Sequence, residues 1–186
     1  GLGLIKGETR AYLQGSKVET KDLNVTANYK GDFFLAIGAA AVGGTGFSSS
    51  LSAALDLSLT EAFVSGSQVM ASGKTTVTAD TDLVLQHWVV SSAIGLAGGI
   101  AGNALVDLAA TTTKAYILNS DLGAADQRNG SLAVNARDKI ELINRAGALG
   151  LTLGNVGIGA SANVNAISNT VLAFINHSTI YTTDQQ

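Results

Sequence analysis

A short motif recurs four times along the chain, and its spacing constrains the fold more than any other feature. Thr9-Arg-Ala-Tyr-Leu13, Thr60-Glu-Ala-Phe-Val64, Thr113-Lys-Ala-Tyr-Ile117 and Val171-Leu-Ala-Phe-Ile175 share a small residue, an aromatic and an aliphatic. Each is followed by a serine: Ser16, Ser67, Ser120 or Ser178. The anchor alanines Ala11, Ala62, Ala115 and Ala173 lie 51, 53 and 58 residues apart, and Tyr12, Phe63, Tyr116 and Phe174 follow them directly. Upstream, Val106-Asp-Leu108 aligns with Val164-Asn-Ala166, and Leu55-Asp-Leu57 joins them after a two-residue deletion. Downstream, Val25-Thr-Ala27, Val77-Thr-Ala79 and Val134-Asn-Ala136 correspond. The chain is one unit made of a partial copy over about 1–16 and full copies over about 17–67, 68–120 and 121–178. Self-similarity at this period is the mark of a stacked repeat architecture.

Within each copy the apolar period is two, as in Leu51-Ser-Ala-Ala-Leu55-Asp-Leu57-Ser-Leu59 and Val77-Thr-Ala79-Asp-Thr-Asp-Leu83-Val-Leu85. Turn signals follow the strands at Gly15-Ser16, Ser65-Gly66-Ser67 and Asn119-Ser120. The expected fold class is all-β, a parallel β-helix or β-solenoid. That fold explains why the 186 residues include no proline, where average usage gives about 5%: a proline in any strand deletes a bond to the neighbouring coil. Narrow coil interiors suit the Ala/Gly-rich runs 36–46, 93–102 and 146–159. Coils of roughly 20 residues would put two or three in each repeat, giving seven to nine coils and a rod roughly 35–45 Å long at about 4.8 Å per coil.

Leu132-Ala-Val-Asn-Ala-Arg-Asp-Lys-Ile-Glu141, the run Ala146 to Asn169 and the close Leu172-Ala-Phe-Ile175 resemble the repeat of leukotoxin-type filamentous adhesins, a group akin to filamentous haemagglutinins and autotransporter passengers. The resemblance is clearest over residues 113–178; residues 47–59 and 86–92 depart from the glycine-valine alternation. It implies a right-handed β-helix shaft, export to the cell surface of a Gram-negative bacterium and a part in adhesion or structural reach. It carries no catalytic residue. The partner it implies is a host or neighbouring-cell surface, contacted by other parts of a longer chain, with end-to-end or lateral self-association open to the shaft. The opening Gly-Leu-Gly-Leu-Ile-Lys lies inside the repeat pattern and has neither an initiator Met nor a signal sequence, so the chain reads as excised from a longer one.

Composition narrows the chemistry. No cysteine is present, which removes disulfides and thiolates, and suits passage through an export pore. Only His87 and His177 offer imidazole, so no metal site and no cofactor is expected. Eleven basic against fourteen acidic residues leave a net charge of -3, with no basic patch for nucleic acid.

Several local patterns invite sharper readings. Gly73-Lys74-Thr75 resembles the end of a phosphate loop, but position 68 is Gln where the loop needs Gly; a polar turn is expected. Asp80 and Asp82 share a strand face, as do paired carboxylates of polysaccharide-cleaving β-helix enzymes; a solvated face is expected. His87 is expected as an outward polar tip, with Trp88 filling a corner of the coil. Asn24, Asn129 and Asn176 head glycosylation sequons and are expected to cap turns or form ladders between coils, a role the repeated serines also fit.

Val89 to Ala110 carries one charge, Asp107, and contains Gly95…Gly99 and Gly98…Gly102, pairs of the type that packs membrane helices. Ala146 to Ile175 carries none. No Lys/Arg cluster marks a cytoplasmic flank for either one, and Asp107 falls at a repeat position with Asp56 and Asn165, so coil interior is preferred. The expected function is a non-catalytic shaft segment of an exported surface adhesin. The alternatives are membrane-active toxin repeats and a carbohydrate-active β-helix enzyme.

Overall fold

The computed structural model describes residues 1–154 and 156–183. Its elements are all strands: β1 (Leu2–Ile5), β2 (Glu8–Gln14), β3 (Lys17–Thr20), β4 (Leu23–Asp56), β5 (Leu59–Ser65), β6 (Gln68–Ala71), β7 (Thr75–Leu118), β8 (Asp121–Leu122), β9 (Leu132–Thr152), β10 (Val156–Asn176) and β11 (Thr179–Ile180). Every pairing is parallel. One curled sheet holds β1, β2, β4, β5, β7, β9 and β10; a small second sheet runs β11-β8-β6-β3.

The pairing register sets the size of a coil. Leu23 lies beside Thr75 and Thr75 beside Leu132, offsets of 52 and 57 residues, and Ala62 lies beside Ala115 and Ala115 beside Ala173. Each repeat is therefore one wide coil. This overturns the expectation of two or three coils per repeat and of a rod of seven to nine: the stack is three to four layers, roughly 15–20 Å deep at about 4.8 Å per layer. Alternation of side chains reports that a strand is half buried but not how far it runs, and β7 runs for 44 residues.

Each coil is flattened. The first run of β7 (75–95) faces the second (98–118) through side chains, with Thr81 bonded to Thr113 and His87 to Asp107, while their backbones pair only with the layers above and below. The small sheet closes the base. There Val69, Leu122, Val77, Ala62, Val64 and Ile117 pack into the larger buried cluster. Leu83, Leu85 and Ala109 form a second, further along the arm. A column of buried threonines lies between them, with Thr81 donating to Thr60 and Thr111 and Thr113 donating to Asp138.

The corner between the main and small sheets repeats in all four layers. Gly15, Gly66, Asn119 and His177 occupy it, with φ of 59°, 58°, 48° and 48°, the left-handed region that favours glycine. His177 is thus a corner residue. The next position is serine each time, and the serines form a ladder. Ser67, Ser120 and Ser178 each accept the N–H of the serine one layer below while donating to their own chain two residues back.

Coil length varies in two places only. One is the corner after the small sheet, where two residues separate β3 from β4, three separate β6 from β7 and nine separate β8 from β9. The other is the tip of the arm. One residue lies between Gly43 and Thr45, two between their partners Gly95 and Gly98, and three between Thr152 and Val156.

The two apolar runs that could have been membrane helices are the distal arms. Val89 to Ala110 is strand, tip and strand, and so is Ala146 to Ile175, apart from Asn155, which lies outside the described residues. Among the described residues, no helix is long and apolar enough to cross a membrane. Gly95 and Gly99 sit on the inner side of the tip, where the backbones close. A Cβ on Gly99 would stand 2.1 Å from the Leu151 carbonyl oxygen, whereas one on Gly102, facing outward, would meet nothing nearer than 3.9 Å. Gly99→Ala is accordingly expected to lower the unfolding free energy strongly and Gly102→Ala to leave it within about 0.5 kcal/mol; equal effects in urea titrations would contradict this packing.

Candidate functional site

The arm interior holds a constellation that sequence spacing did not reveal. His87 Nδ1 lies 2.7 Å from Asp107 Oδ1, and His87 Nε2 lies 2.5 Å from Ser52 Oγ. A carboxylate only accepts, so Nδ1–H donates to Asp107 and the serine hydroxyl donates to Nε2. This is the order of contacts in a Ser-His-Asp triad. The expectation of an outward His87 beside an inward Trp88 is reversed. Inward positions on this run are odd-numbered, from Val77 through Leu85 to Val89, and the same alternation turns Trp88 out. Trp88 there stacks edge-on against Phe34 at 5.3 Å and lies under the Arg145 guanidinium at 4.7 Å.

Two features withhold reactivity from the triad. Ser52, His87 and Asp107 are at most 1% exposed. A cavity of about 220 Å³, walled by Leu4, Phe33, Leu85 and others, reaches His87 and Asp107 but not Ser52. The N–H following the nucleophile, that of Ala53, would be the first candidate for an oxyanion hole, and it donates to the Gly1 carbonyl at 2.9 Å. The layer above carries a polar equivalent: Asn144 stands over His87 and Asn165 over Asp107, and Asn144 donates to Asn165 at 2.5 Å. The column is a polar band through the arm, with imidazole and carboxylate in one layer and two amides in the next.

Asp56 is a second buried carboxylate. Contrary to the two-residue deletion expected from sequence, it stands beside Ala109, and Asp107 stands beside Ala54. The coils match here without a gap, so the shared Leu/Val-Asp-Leu pattern was a coincidence of adjacent inward positions. Asp56 Oδ1 accepts the Ser58 N–H at 3.0 Å, and Oδ2 has no partner among the described residues. Burial raises its carboxyl above the usual value; bonds from Ser58 pull it down, and Asp138 raises it further.

The remaining candidates resolve individually. Asp80 and Asp82 face outward, toward Arg137 at 3.3 Å and Lys139 at 3.6 Å in the layer above, as neighbouring charges across a sheet do. In the Gly73-Lys74-Thr75 turn, the Gly73 and Lys74 N–H groups donate to the Lys21 carbonyl and to Asp22, so no free backbone nest is left for phosphate. Asn129 is buried and accepts the Ala71 N–H at 2.7 Å, while Asn24 and Asn176 are exposed. The anchor residues Ala11, Ala62, Ala115 and Ala173 share one column facing into the coil. Tyr12, Phe63, Tyr116 and Phe174 stack outside it, ring on ring at 5.2, 4.9 and 5.1 Å and within 10° of parallel. Beside them Arg10 pairs with Glu8 and Glu61, each at 3.0 Å. Among the described residues, no group of three His, Cys, Asp or Glu is placed to hold a metal ion.

No family model, no curated protein and no solved structure matches the chain. The likeness to filamentous adhesins rests on the repeat residues alone.

Two outcomes test the polar band and Asp56. His87→Ala strands the Asp107 carboxylate in the interior and is expected to cost about 3–5 kcal/mol in urea unfolding; His87→Asn with Asp107→Asn, copying the layer above, is expected to recover most of that loss. For Asp56 the folded carboxyl holds its proton more tightly than the unfolded one. Stability contributed by the bound proton is therefore present at low pH and lost as pH rises from near 3.8 through the raised folded value. Asp56→Asn should raise the thermal midpoint at pH 7 and flatten its fall across that window. A midpoint at pH 7 that drops would count against the buried carboxylate as described.

Proposed function

We propose that this chain is a segment of the non-catalytic shaft of a large exported surface adhesin or filament, built as a right-handed parallel β-helix and acting outside a Gram-negative cell or on its outer surface. The observation that carries the reading is the column structure: aromatic, serine and left-handed corner positions each recur in four successive layers. A layer that offers its neighbour the same ladder it receives can be added repeatedly, and stability then grows as a sum of coils and interfaces. Such a stack supplies reach, holding other parts of the chain away from the cell toward a host or neighbouring surface. The sealed Ser52 and the cation-paired Asp80 and Asp82 support a chain without enzymatic work.

A chain in which residues 68–120 are duplicated in place tests the additive stack. It is expected to fold, to grow by about 4.8 Å along the stack and to unfold at a higher urea concentration. Misfolding of the duplicated chain, labelling of Ser52 by a fluorophosphonate, or leakage of dye-filled vesicles would each overturn the shaft reading.

A further inference from the structure

The two outer faces of the arm differ. On the first run, outward positions carry Asp80, Asp82, Arg137 and Lys139. On the second, residues 45–55, 98–108 and 156–166 present an outward face with no charge, because Asp107 points inward. Phe47 is 68% exposed, Leu51 67% and Val164 57%, and Ile100, Leu108 and Ile158 are also open. Six columns about 6.7 Å apart on three strands about 4.8 Å apart, with Leu2 and Leu4 of β1 continuing the last two, make a face of roughly 600 Å². Patches of this size mark interaction sites, and stable complexes cover about 800 Å² per partner.

We propose that this face is a self-association surface on which a second copy of the chain packs sheet on sheet about a two-fold axis. Its relief suits that partner. The register makes Phe47, Ile100 and Ile158 one ridge and Ser49, Gly102 and Ala160 the groove beside it, so in a two-fold pair each copy's ridge enters the other's groove, at about 10 Å between sheets. Without charge the face holds nothing to select a partner of opposite sign. A lipid surface fits less well, since burial in hydrocarbon would also take the unpaired backbone edges of β4 and of β9 and β10, whose N–H and C=O groups would lose their water partners. A second copy covers the face and leaves those edges in water. The proposal rests on this face alone and is independent of the shaft reading.

Sedimentation of the whole chain at micromolar concentration is expected to give a dimer. Ala104→Lys, and separately Gly102→Leu, which fills the groove, are expected to weaken it more than tenfold with circular dichroism unchanged; Thr78→Lys on the opposite run is not. If a substitution unfolds the chain, cysteine scanning replaces it, since no native cysteine competes. Ala104→Cys is expected to cross-link between copies with a bismaleimide, and Thr78→Cys is not. A monomer at 100-fold higher concentration, a dimer indifferent to both face substitutions, or cross-linking from Thr78→Cys alone would overturn the proposal. So would phosphatidylcholine vesicles that bind a monomeric chain and lose it on Ala104→Lys.

Discussion

Hydrogen bonding between layers is the constraint from which the rest of this structure follows. The two arms of a coil touch through side chains, so almost every backbone N–H and C=O in β4, β7, β9 and β10 looks for its partner one layer up or down. Parallel ladders of this kind cannot spare an N–H, which is why proline is absent from all 186 residues. Because like positions stack on like, any residue that works in one layer is offered its own environment in the next. The Tyr/Phe stack and the serine ladder are results of that rule, and the charge pairs Asp80–Arg137 and Asp82–Lys139 show it with opposite signs.

The interior is banded, and the bands divide the labour of stability and specificity. Apolar clusters around Val77 and around Leu83 supply burial. The threonine–Asp138 band and the His87–Asp107–Ser52 band between and beyond them supply register. A slip of one residue along either arm would turn every inward side chain outward. A slip of two would keep the apolar pattern but strand buried hydroxyls, imidazole and carboxylate without partners. The triad geometry then has a structural reason: a neutral imidazole donates to the carboxylate on one side and accepts from the hydroxyl on the other, and so satisfies both buried groups at once.

Much of this was legible in the sequence, and the misreadings have physical causes. Anchors at Ala11, Ala62, Ala115 and Ala173 and the period of two specified strands in repeating layers, because both depend on local chemistry. Coil number was not legible, since an alternating pattern continues unchanged around a bend and 44 residues of β7 read like several short strands. His87 was misplaced because its polarity outweighed its odd-numbered position among Leu85 and Val89; only the partners Asp107 and Ser52, 20 and 35 residues away, make an inward imidazole acceptable. Gly95 and Gly99 imitate a helix-packing pair because four residues also span an arch tip, where the same need for close backbone approach selects glycine.

The tip lengthens by one residue with each layer, from one to two to three, while every column behind it stays aligned. Backbone length at that edge is thus decoupled from the ladder. A segment inserted there lies outside all the columns and shifts none of them, so the leading edge of the arm can diverge in sequence and size while the stack is preserved. Whatever the arm meets at its rim can be changed without altering what holds the layers together.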